Sequence, residues 1–107
     1  MGRAIASTTE NPEDFGAKIL TIGRGWSCDL VVLDDTFTAS RLHAQIAFYE
    51  DALYIKDLES TNGTSIERDG VRAELTPGEW YKLEEGDGVW LGPEVGYAYD
   101  YLLSHCK

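Results

Sequence analysis

The chain has 107 residues, 43% apolar and 26% charged, the balance expected of one globular domain over residues 1–107. Nine Lys and Arg stand against nineteen Asp and Glu, a formal net charge of −10 that disfavours nucleic acid as partner, because phosphate backbones are bound by basic faces. No apolar run approaches the roughly 20 residues of a membrane span, and the start of the chain shows no signal-peptide pattern, so neither membrane insertion nor secretion is expected.

Residues 8–16 are polar and predict a mobile loop. Residues 17–22 read as a strand ending at Gly23, and Leu30 to Leu33 as a short strand closed by Asp34-Asp35. Residues 43–49 alternate, with Ala44, Ile46 and Phe48 on one face; Glu50-Asp51 is a turn, and 52–57 return with Leu53 and Ile55 together. Further strands are expected at 63–66, 80–83 and 89–91, with turns at Asp69-Gly70 and across 84–87. Alternation of Tyr97, Tyr99 and Tyr101 predicts a last strand running to Leu103. No stretch of ten residues keeps a helical apolar period. The pattern is all-β, a sandwich or barrel of short strands.

Cys28 and Cys106 match no zinc spacing and read as two reduced thiols, with no metal and no cofactor expected. Binding groups of such folds sit in loops, and three loops are unusual: 23–27, 38–43 and 59–64. Arg24, Arg41 and Lys56 are the only three cations between residues 19 and 65, and the two arginines lie in these loops beside Ser, Thr and Asn side chains. A guanidinium fork with hydroxyl and amide donors is the set that holds a phosphate dianion. Composition alone leaves solvated surface arginines and ordinary turn residues as the competing reading.

The order Gly23-Arg24, Cys28-Asp29-Leu30-Val31, Ser40-Arg41-Leu42-His43-Ala44, Ser60-Thr61-Asn62-Gly63-Thr64, Gly86-Asp87, Leu91-Gly92 resembles the forkhead-associated (FHA) domain family from about residue 21 to 92. The resemblance implies a two-sheet β-sandwich of about eleven short strands whose apical loops bind phosphothreonine peptides. It implies phosphate contacts from Arg24 and Ser40, and from Arg41 either a phosphate contact or one to an acidic peptide residue. Thr61 is implied at the phosphate or the threonine methyl, and Asn62 at the peptide backbone. His43 is implied as a structural brace, and Gly23 and Gly63 as the residues that permit the tight turns. Two departures stand out: Ala39 replaces the β-branched residue common in the family, and the connection from Asp35 to Ser40 is about one residue longer.

Ser40 and His43 alone do not make an enzyme, since no nucleophile elbow or substrate pocket accompanies them. Trp26, Trp80 and Trp90 read as core or rim aromatics. The expected protein is a non-enzymatic, monomeric, cytoplasmic (or nuclear) module that joins signalling proteins through phosphothreonine. The alternative is a phosphate-independent scaffold or oligomerisation module using a sheet face.

Overall fold

Period-two alternation in the middle of the chain sets the architecture. The computed structural model describes residues 5–33 and 38–107. The expected Asp34-Asp35 turn, with Thr36 and Phe37 after it, lies outside the described residues, as do residues 1–4. Among the described residues the chain forms nine strands: β1 (Lys18–Gly23), β2 (Leu30–Val31), β3 (Ala44–Tyr49), β4 (Ala52–Asp57), β5 (Thr64–Arg68), β6 (Val71–Glu74), β7 (Trp80–Lys82), β8 (Gly88–Leu91) and β9 (Val95–Ala98). One sheet has the order β2-β1-β3-β4-β7 and the other β6-β5-β8-β9. Only the β1–β2 pair is parallel; every other pair is antiparallel.

The β3–β4 hairpin pairs Ile46 with Ile55 and Phe48 with Leu53, which places these four on one face. That face meets Ile66, Val89 and Leu91 of the second sheet in the main core. Glu50 and Asp51 make the turn with φ of 48° and 64°, the left-handed pair whose twist suits a two-residue hairpin. Asp69 and Gly70 do the same between β5 and β6, with φ of 54° and 79°. Nearby, Arg68 grips Asp87 through two parallel bonds of 2.9 and 2.7 Å, both side chains being buried. This fork tethers the turn before β8.

Two segments differ from the sequence expectation. Residues 8–16 carry a 3-10 turn, Pro12–Phe15, capped by the Asn11 side chain and packed on the sheet. The outer face of the five-stranded sheet is itself apolar, with Ala47, Tyr54 and Trp80 buried and Phe15, Ala17 and Ile19 packed against them. That cover has a physical cause: a sheet with apolar residues on both faces needs two partners. The expected last strand ends at Ala98, and residues Tyr99–Cys106 form a helix, α1. Leu102 and Cys106, one turn apart, are the buried side chains of α1, and Leu102 joins the main core. Tyr101 instead stacks on Tyr97, with ring centroids 5.3 Å apart.

Candidate functional site

Gly23, at the end of β1, lets the second loop cross closely. A Cβ there would collide with the Arg41 carbonyl oxygen. The close approach zips the first two loops together: the Arg24 N–H donates to Ser40 O at 3.0 Å and the Gly25 N–H to Arg41 O at 2.9 Å. His43 N–H continues the ladder to Ile22 O at 3.0 Å. Arg24 Nε donates to Ala39 O at 2.6 Å, which fixes the plane of its guanidinium. Ala39, at the position where the family commonly has a β-branched residue, is buried in the core.

Ser40 sits where the three loops cross. Its carbonyl holds Arg24, its Oγ accepts the Thr61 N–H at 3.0 Å, and its own N–H donates to His43 Nδ1 at 2.9 Å. Because Nδ1 accepts a backbone N–H, the His43 proton resides on Nε2, which donates to Gly63 O at 2.9 Å. The ring is fully buried, and this desolvation pushes its pKa below the ordinary 6.5, against the opposing pull of Gly63 O and the Asp57 charge. Both ring nitrogens therefore serve the fold, and neither faces the Ser40 hydroxyl as a base would.

The third loop is held from below by a carboxylate that sequence reasoning did not single out. Buried Asp57, at the end of β4, accepts Thr64 Oγ1 at 2.6 Å through Oδ1 and the Ser60 N–H at 3.1 Å through Oδ2. The Ser60 hydroxyl donates to Oδ1 as well. Its signal in the sequence is the Asp-x-x-Ser spacing of a side-chain-closed turn. Asn62 Nδ2 donates to Thr38 O at 2.7 Å, tying this loop back to the second. Gly63 has φ of 81°, and a Cβ on it would strike the Glu74 carboxylate. Its carbonyl also accepts the Gly92 N–H at 2.9 Å, which joins the second sheet to the site.

All five expected contact residues, Arg24, Ser40, Arg41, Thr61 and Asn62, thus lie on three loops linked at one end of the sandwich. The two sides of that end differ in chemistry. On one side Arg24, Arg41, Gly25, Trp26, Ser27 and Leu42 enclose a groove of about 500 Å³. On the other, Thr61 shares a recess of about 450 Å³ with Asp57 and Glu74. Among the described residues no cluster of three His, Cys, Asp or Glu side chains suits a metal ion, and no helix is long and apolar enough to cross a membrane.

The sequence model of the FHA domain matches residues 20–92. This chain belongs to the FHA family. FHA domains are binding modules rather than enzymes. Protein FraH of Nostoc sp. (strain PCC 7120 / SAG 25.82 / UTEX 2576) is 43% identical over 53 residues, which span 50% of this chain and 17% of that protein. An FHA domain solved in a structural and functional analysis of phosphothreonine-dependent FHA domain interactions is 31% identical, with a TM-score of 0.53 over 69% of this chain and 68% of that one. The N-terminal FHA domain of S. cerevisiae Rad53p, solved in complex with a phosphothreonine peptide, shares the fold over 95% of this chain and 90% of its own, with a TM-score of 0.58 at 24% identity.

Proposed function

We propose that this FHA domain binds a phosphothreonine-bearing segment of a partner protein at the Arg24–Ser40–Thr61 loop end and so makes a protein contact depend on phosphorylation. The observation that carries the reading is the threefold anchoring of Ser40. With its Oγ already accepting the Thr61 N–H, the hydroxyl keeps its proton to donate to a ligand. Arg24, its guanidinium plane set by Ala39 O, supplies the cationic fork, and Arg41 adds a second cation at the rim. Thr61 supplies a hydroxyl beside them, and the Asn62 amide, held by Thr38 O, offers its carbonyl oxygen to a peptide backbone N–H.

Charge-assisted bonds to phosphate contribute about 1.5–3 kcal/mol each. Three or four, less the cost of ordering a peptide, give affinity near the micromolar range, about −8 kcal/mol. The threonine methyl adds roughly 0.8 kcal/mol over phosphoserine by burial alone. Calorimetry with one peptide, phosphorylated and not, tests the reading. Binding is expected only to the phosphorylated form, with at least a hundredfold loss in Arg24→Ala and in Ser40→Ala while circular dichroism is unchanged. Equal affinity for the two peptide forms, or wild-type affinity in both variants, removes the proposed site.

A further inference from the structure

The groove beside Arg24 sets two apolar side chains between two guanidinium groups on a chain of net charge −10. Among the described residues the exposed large hydrophobics are Trp26, Leu33, Leu42, Val71 and Tyr101, and two of these five, Trp26 and Leu42, belong to the two loops that carry Arg24 and Arg41. Trp26 is 87% exposed and Leu42 52% exposed, and both line the groove with the two arginines. Solvent-exposed apolar surface gathered in one place marks an interaction site.

The backbone that carries Trp26 is held in a tight turn. The Cys28 N–H donates to Gly25 O at 3.1 Å, closing a four-residue turn with Trp26 at its corner. The Arg41 carbonyl pins both ends of that turn, accepting the Gly25 N–H at 2.9 Å and the Cys28 thiol at 3.2 Å. An indole on a fixed turn presents a large contact area for little loss of conformational freedom on binding.

We propose that this groove seats a large aliphatic or aromatic side chain of the bound segment, next to the phosphothreonine and on the side away from Asn62, with Trp26 and Leu42 as its walls. The inference rests on the phosphothreonine reading and adds a sequence preference to it. Charge chooses the occupant. Two guanidinium groups flank the apolar walls, so the partner brings an anion beside an apolar side chain, as a phosphothreonine segment does. A second copy of a chain with net charge −10 brings repulsion instead. The recess beside Thr61 carries the carboxylates of Asp57 and Glu74 and no cation, so it suits an anion less.

The test is a phosphothreonine peptide library varied at each flanking position, followed by titrations with the selected peptide and its alanine counterpart. Wild-type protein is expected to select a large apolar residue at one flanking position, about tenfold over alanine. Trp26→Ala should reduce that preference to about twofold or less while binding the alanine peptide as the wild type does, and Leu42→Ala should act in the same direction. Tryptophan emission should shift to the blue with the apolar peptide, and Trp26→Phe should remove the shift. Equal weakening of both peptides in Trp26→Ala, or no flanking preference in the wild type, overturns the inference. So does self-association of the unliganded protein that Trp26→Ala abolishes while the peptide preference persists. Arg24→Ala separates the two levels: if it abolishes binding while Trp26→Ala leaves selection intact, the groove assignment alone fails. If Arg24→Ala binds as the wild type does, the phosphothreonine reading fails and the groove falls with it.

Discussion

Both ring nitrogens of His43 bond the main chain. It joins the Ser40 N–H to the Gly63 carbonyl, so one ring couples the loop of the proposed phosphate contacts to the loop carrying Thr61 and Asn62. Adding a proton to Nδ1 would set an N–H against the Ser40 N–H, which agrees with the lowered pKa. As pH falls, the unfolded chain binds this proton first, near the ordinary value of 6.5. The contribution of His43 to stability is therefore complete above that pH and declines below it, down to the folded-state pKa, by at most about 1.4 kcal/mol per pH unit. Urea titrations from pH 7.5 to 5 should show the decline, and His43→Gln should flatten it. An unchanged slope in the variant would assign the effect elsewhere. Replacing the ring by leucine strands the Ser40 N–H, at about 1–3 kcal/mol, while the Gly63 carbonyl keeps the Gly92 N–H.

Elements differ in how openly the sequence declares them. The β3–β4 hairpin is legible because its large aliphatic and Phe residues recur at every second position on either side of Glu50-Asp51. α1 is not: eight residues span barely two helical turns, and the tyrosine alternation across 97–101 imitates a strand. The decisive spacing is Leu102 to Cys106, visible only once the core that receives them is known. Leu102→Ala should cost about 2–5 kcal/mol in chemical denaturation; a loss below 1 kcal/mol would mean that the helix is a loose appendage. Docking of Pro12–Phe15 was hidden for a related reason, since Ala47, Tyr54 and Trp80 meet on one face only through strand register. Of the candidate site, Arg24, Ser40 and His43 stood out by their order along the chain. Asp57 did not, because its part is to bond Ser60 and Thr64 beneath the loop. Gly23 belongs to this scale too. Gly23→Ala should push the second loop away from β1, costing roughly 1–3 kcal/mol and weakening phosphopeptide binding, as paired denaturation and calorimetry would show. Full affinity in a destabilised variant would mean that the two loops need not be zipped.

The charge of the whole molecule opposes the ligand that its loop end is proposed to hold. The molecule measures 35 × 32 × 23 Å, while the screening length is about 30 Å at 0.01 M salt and about 8 Å at 0.15 M. In dilute salt a phosphopeptide therefore feels most of the net −10, and near physiological salt chiefly the groups around Arg24 and Arg41. Association of an acidic phosphopeptide should accelerate severalfold between these conditions, the reverse of ordinary electrostatic steering. Stopped-flow mixing would measure it, and a rate that falls with salt would show that the arginines dominate the long-range field.

The loop end is framed by main-chain bonds: Arg24 to Ser40, Gly25 to Arg41, His43 to Ile22 and Gly92 to Gly63. Main-chain N–H donors are common to every residue except proline, so the scaffold tolerates a change of lettering at its outward positions. Trp26 and Leu42 are such positions. A new taste in neighbouring residues could be grafted there without rebuilding the proposed grip on phosphate, which would make this end of the sandwich a reprogrammable reader.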